Sequence, residues 1–249
     1  MTTLPNVVPT KRLGLITPPS NPTVELELRA LCPLACGVHS TRLPLFPGQP
    51  LEVRQVQYVE HYPRLIQSFG VLAIDAFMVG ITGPSYSLTP EQDVERSRTL
   101  SAGAGGRPVI QASMAIRETL AALGADKVFL FSPYPGWLTE KSAAYWSACG
   151  FQLAGVFKVS EEFRAYDLTT EEVLDGLAKI QVPKGAVVLM SGTGMATVDA
   201  MVRVAGAGGP VLVSSNLACA FAALKLFNLP PSEHFRAASP ALVPYLAKS

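Results

Sequence analysis

The second half of the chain repeats the first, and this constrains the fold more than composition does. The apolar run Ala76-Phe-Met-Val-Gly80 breaks into Ile81-Thr82-Gly83-Pro84-Ser85-Tyr86, and Ala186-Val-Val-Leu-Met190 breaks into Ser191-Gly192-Thr193-Gly194. Gly106-Arg-Pro-Val-Ile-Gln-Ala-Ser113, leading into Ala115 and Leu120, echoes Gly209-Pro-Val-Leu-Val-Ser-Ser215, leading into Ala218 and Leu224. Leu13-Gly-Leu-Ile-Thr17-Pro18 and Val128-Phe-Leu-Phe-Ser132-Pro133 open the two halves. The repeat is longer than the roughly 20 to 50 residues of a solenoid unit. It implies two similar α/β bodies, expected at about 8–118 with 230–249 and at about 119–229, whose equivalent loops face one cleft.

Short apolar strands alternate with helical stretches throughout. The expected order is strand 13–16, helix 22–31, strand 37–43, helix 52–69, strand 73–79, helix 90–101, strand 108–111 and helix 113–123. The second half continues with strand 127–131, helix 135–149, strand 151–157, helix 169–181, strand 186–190, helix 195–206, strand 210–213 and helix 215–227. That order predicts two parallel, Rossmann-like sheets related by a pseudo-twofold axis. Continuous apolar runs such as Ala186 to Met190 suit strands covered on both faces. Pro22 is expected in the first helical turn, and Pro5, Pro9 and the last ten residues read as arms.

Charge excludes several classes of function. Net charge is +1, with 16% charged and 49% apolar residues, so neither disorder nor a nucleic-acid or anionic-membrane surface is indicated. Each apolar run is cut before the ~18 residues of a membrane helix. The N-terminus lacks a basic, then apolar, leader, so a cytoplasmic enzyme is expected. Low charge with positive mean hydropathy suggests a homo-oligomer. Cys32, Cys36, Cys149 and Cys219 read as structural thiols, and His39, His61 and His234 have no metal spacing; neither a metal nor a cofactor is expected.

In parallel sheets, ligands bind beyond the carboxyl ends of the strands. The loops there hold Thr17, Ser20, Asn21, Thr82, Ser85, Tyr86, Ser132, Tyr134, Ser191, Thr193, Ser214, Ser215 and Asn216. Hydroxyls, amides and N–H groups beside Gly83, Gly192 and Gly194 make an anion site without a cation. Each Ser, Thr or Asn alone is also an ordinary helix cap; five such loops in a repeated architecture favour a site. No phosphate-binding glycine motif follows any strand.

Leu13-Gly-Leu-Ile-Thr-Pro-Pro-Ser-Asn-Pro-Thr-Val-Glu-Leu-Glu27 resembles the opening of the maleate cis-trans isomerase and arylmalonate decarboxylase group of the aspartate/glutamate racemase superfamily. Thr82-Gly-Pro-Ser-Tyr86, Ser132-Pro-Tyr134, Ser191-Gly-Thr-Gly194 and Pro210-Val-Leu-Val-Ser-Ser-Asn216 follow in the expected order. The resemblance implies a cofactor-free site between two halves. Asn21, Thr82, Gly83, Tyr134, Thr193 and Gly194 would grip a substrate carboxylate and stabilise an enediolate; Pro18 and Pro19 would line an apolar pocket. The group carries a cysteine after one or both central strands; here those positions hold Ile81 and Gly192. Thiolate racemisation and thiol addition to a double bond are thereby in doubt, whereas the oxyanion cradle survives.

The expected function is a cofactor-independent, decarboxylase-like lyase acting on a small carboxylic or dicarboxylic acid. Maleate-type cis-trans isomerisation is the alternative enzyme reading, and a non-catalytic carboxylate-binding paralogue the alternative from another class. For the acid or base, Tyr134 and Tyr86 qualify if the site lowers their pKa, and Ser85 or Ser191 through water. Glu25 and Glu27 read as helix-surface groups, Asp75 and Asp199 as structural, and His39 as remote.

Overall fold

In the computed structural model, which describes residues 8–247, the expected alternation of strands and helices is realised. The first half runs β1 (Lys11–Thr17), α1 (Val24–Leu31), β2 (Cys36–Arg42), α2 (Leu51–Gln67), β3 (Ala76–Val79), a 3₁₀ turn (Gly83–Ser87), α3 (Pro90–Gly103), β4 (Val109–Gln111) and α4 (Ala112–Ala122). The second runs β5 (Lys127–Ser132), α5 (Gly136–Ala148), β6 (Gln152–Lys158), α6 (Thr170–Ala178), β7 (Ala186–Met190), α7 (Val198–Gly206), β8 (Leu212–Ser214) and α8 (Ser215–Phe227). After these come α9 (Glu233–Ala238) and a second 3₁₀ turn (Pro240–Tyr245).

Each half carries one four-stranded parallel sheet, ordered β2-β1-β3-β4 and β6-β5-β7-β8, so the strands correspond one to one. Period two sorts their side chains between two cores. Leu13, Leu15, Ala76 and Met78 face a core shared with the second half, while Ile16, Phe77 and Val79 face an outer core with Tyr58, Tyr62 and Ile66 of α2. β7 is buried along its whole length. The helix between strands is what places both faces of such a strand under cover. The shared core also takes α8, eleven of whose thirteen residues are buried, an all-round apolar helix that belongs in an interior.

Local chemistry sets the helix starts. Thr89 with Gln92 and Thr169 with Glu172 form reciprocal capping boxes on α3 and α6. Asn21 Oδ1 accepts from the N–H groups of Thr23 and Val24, so α1 starts after Pro22, which lies ahead of the helix rather than in its first turn. α2 runs through Pro63, which is exposed.

The terminal segments are not free arms where described. Pro9 packs on Gly37, and the stretch after 240 forms a 3₁₀ turn that buries Leu242; Pro5 lies outside the described residues. α9, unforeseen in the sequence, is capped by Ser232 and packs on α1 and α7, one helix from each half. Among the described residues, no helix is long and apolar enough to cross a membrane, and no three His, Cys, Asp or Glu side chains are grouped so as to hold a metal ion.

Candidate active site

The two central strands end in the same way. Gly80 N–H donates to Ile16 O at 2.8 Å, and Ser191 N–H donates to Phe131 O at 3.1 Å. Ile81 and Gly192 are therefore equivalent, as are Thr82 and Thr193, and Gly83 and Gly194. Each threonine meets the opposite half. Thr82 Oγ1 lies 2.8 Å from Tyr134 Oη, while Thr193 Oγ1 accepts from Asn21 Nδ2 at 3.0 Å and donates to Gly80 O at 2.9 Å. Thr23 Oγ1, donating to Gly194 O at 2.8 Å, holds the second loop from the same side.

Between these loops lies a cleft of about 470 Å³, counting its open mouth. Of the residues expected at the site, Pro18, Ile81, Gly83, Tyr134, Thr193 and Gly194 line it. Thr82 stands directly behind Tyr134, buried. Among the described residues, the N–H groups of Gly83, Thr193 and Gly194 meet no acceptor. Such groups beside hydroxyls are the donors that an oxyanion requires. Close approach explains the glycine at 194, where a β-carbon would stand 2.4 Å from the Tyr166 ring.

The remaining expected residues build what lies behind the cleft. Tyr86 Oη is hydrogen-bonded to Ser191 Oγ, and Ser215 Oγ accepts from Gly192 N–H at 2.9 Å. Asn216 donates to Glu27 at 2.7 Å and to Thr193 O at 3.1 Å. Pro19 is half-buried and offers its carbonyl to Arg42 at 3.1 Å. Ser85 is committed elsewhere: it donates to Asp93 Oδ1 at 2.9 Å in a buried cluster with Ser113 and Tyr145.

Two expectations about acid–base groups change. Burial pushes the phenols of Tyr86 and Tyr134 up, not down, so both stay protonated at neutral pH and act as hydrogen-bond donors rather than as bases. Glu27 is not a surface residue. It is buried and accepts from Thr197 N–H, Thr197 Oγ1, Val198 N–H and Asn216 Nδ2, so a carboxylate of the first half caps α7 of the second. Burial raises its pKa, against the opposing pull of those hydrogen bonds. Glu25, by contrast, pairs with Arg42, and Asp199 with Arg203, as surface groups do.

A wall of the cleft was missed from the sequence. Leu51, Arg54, Gln55 and Tyr58 of α2, with Phe163, Ala165 and Tyr166 between β6 and α6, complete the lining. Tyr134 and Phe163 stack with ring centroids 6.1 Å apart. The Gln55 amide stands where a β-carbon on Gly83 would be 2.4 Å from Nε2. The polar face of an amphipathic helix reads as solvated, and nothing in α2's spacing marks it as lining. The four cysteines are free and line none of this cleft.

A model of the arylmalonate decarboxylase family matches residues 13–237. The chain belongs to the arylmalonate decarboxylase family. Among relatives of this family member, a maleate isomerase of Nocardia farcinica is 32% identical over 157 residues, which are 58% of this chain and 60% of that protein. A maleate isomerase of Geobacillus stearothermophilus is 25% identical over 236 residues, 88% of this chain and 92% of that one. In fold, it superposes on the Pseudomonas putida S16 maleate isomerase in complex with maleate with a TM-score of 0.82, at 19% identity, over 96% and 99% of the two chains. A liganded arylmalonate decarboxylase variant gives 0.76 at 21% identity, over 91% and 98%. One solved relative, a Nocardia farcinica maleate isomerase variant, carries a covalently bound succinylcysteine intermediate. The relatives of this arylmalonate decarboxylase family member are enzymes, isomerases and decarboxylases.

Proposed function

We propose that the protein is a cofactor-independent lyase that removes CO₂ from a small carboxylic or dicarboxylic acid through an enediolate. The observation that carries this reading is the cradle itself: Thr82 with Tyr134, and Thr193 braced by Asn21, on equivalent loops that line one cleft. One carboxylate sits on that cradle. When the bond to a second carboxylate breaks, its electron pair moves to the α-carbon and onto the cradled carboxylate, giving an enediolate dianion, and CO₂ leaves uncharged. The α-carbon then takes a proton. Charge that builds up beside fixed donors in a site shielded from water is strongly stabilised. Pro18, Leu51, Ile81 and Phe163 supply the apolar wall against which an uncharged CO₂ can form.

The resemblance assigns a cysteine to one or both positions where Ile81 and Gly192 stand, so the proton donor here is not a thiol at either. A Tyr134 with a raised pKa suits holding the enediolate oxygen by its proton. Maleate-type isomerisation remains the second reading, favoured by the maleate isomerase relatives. Incubation with aryl- and alkenylmalonates, followed by CO₂ release, tests the first reading. Incubation with maleate, followed by loss of its ultraviolet absorbance, tests the second. Thermal stabilisation by these acids without turnover in either assay would make the protein a carboxylate-binding paralogue.

A further inference from the structure

One charged side chain lines the cleft among the described residues, and it is Arg54, at the start of α2. Its Nε is buried and meets no hydrogen-bond acceptor. No carboxylate stands within ion-pair distance of it among the described residues: Glu52, two residues before it, is taken by Lys141 at 2.8 Å, and Glu25 by Arg42. Its neighbours are the Tyr58 and Tyr166 phenols, which burial keeps protonated and therefore neutral. Tyr58 hydrogen-bonds the guanidinium, but among the described residues its charge has no counter-ion and its buried Nε no acceptor, and buried donors rarely stay unmatched. An anion entering the cleft would satisfy them, and the planar fork of arginine matches a carboxylate in two hydrogen bonds.

Resting on the reading of the cleft as a carboxylate site, we propose that Arg54 anchors a second anionic group of the substrate. A fixed guanidinium in the cleft favours acids that carry two negative charges over acids that carry one.

Calorimetric titration with paired acids tests this on the intact protein. Maleate and succinate carry the second charge; isocrotonate and butyrate are the matching monoacids and serve as the internal reference. The wild type should bind each diacid about 10- to 100-fold more tightly than its monoacid, the range of a charge-assisted pair. Arg54→Gln should bring the ratio to within about twofold. Should that variant fail to fold by circular dichroism, Arg54→Lys carries the test, since loss of the fork should reduce the ratio several-fold. A wild type that binds monoacids and diacids equally, or a ratio unchanged in the folded variant, overturns the role of Arg54 and leaves the cleft reading standing. A wild type that binds none of the four acids overturns the cleft reading, and this inference with it.

Discussion

Ile81 and Gly192 occupy the same place in the two halves, each one residue beyond the backbone bond that closes a central strand onto its neighbour. They differ in backbone. Gly192 has φ +138°, which L side chains rarely adopt, and a β-carbon there would stand 3.0 Å from Pro133 Cγ and 3.1 Å from Tyr134 Oη. Ile81 already carries a side chain at the cleft.

The two positions should therefore answer differently to cysteine. Gly192→Cys should destabilise the protein by about 1–3 kcal/mol, the range for a side chain forced into such a conformation, seen as a lower Tm. Ile81→Cys should keep a Tm close to that of the wild type and gain a component of activity that iodoacetamide removes. Equal melting temperatures for the two variants would contradict the strain at 192.

Thr82→Ala and Tyr134→Phe should each lower turnover by about 10²–10³, as loss of one oxyanion donor does. The two hydroxyls hydrogen-bond each other, so one of their two protons is spent internally and one is left for a ligand. The double variant should then fall well short of the product of the single effects, because the pair acts as a unit. Unchanged kcat in both single variants would remove these groups from the chemistry.

The wild type should be insensitive to iodoacetamide at neutral pH, and replacing all four cysteines should leave activity intact. Burial raises the Cys149 thiol to about 11 and the Cys219 thiol to about 12, while the hydrogen bond with Cys36, then burial, holds Cys32 well above its usual range. Protonated thiols alkylate slowly, and Cys36, which the hydrogen bond with Cys32 lowers, is buried and lines no part of the cleft. Stoichiometric inactivation through one labelled cysteine would place a thiol in the mechanism.

Glu27 gives a pH dependence of defined sign. Its folded pKa lies above the ordinary 4.5, so between the two values the folded state binds more protons than the unfolded one. Its contribution to stability is then fully present below 4.5 and declines as pH rises through the folded value. Glu27→Gln cannot titrate. The stability advantage of the wild type over this variant should shrink as pH rises from about 4 toward neutrality, followed by urea midpoints. An advantage that grows over that range would mean the folded pKa is lowered.

The order of strands within each sheet was not legible in the sequence, whereas the alternation of strands and helices was, because strands such as Ala186–Met190 are continuously apolar and recur with their loops. Helix starts were less so: Asn21, as remote cap for α1, displaced the start past Pro22, and the start of α7 depends on a carboxylate 170 residues away. In the cleft, residues on repeated loops could be found because repetition itself is a signal. Arg54, Gln55 and Phe163 belong to segments without a counterpart motif, and only packing brings them there. Ser85 shows the reverse: a hydroxyl on the expected loop turns toward a buried Asp93 that nothing in the linear order places beside it.

Glu27 reaches from α1 to the start of α7, and Asp93 of α3 accepts from Tyr145 of α5 at 2.8 Å, so a buried carboxylate crosses between the halves at two places. Rocking the halves apart would strip Glu27 of all its donors and Asp93 of Tyr145 at once. The cleft is thus a riveted seam rather than a jaw. The rest of the cleft wall, α2 and the stretch 159–168, holds neither of these carboxylates, so the seam and the cover are separate parts of the molecule.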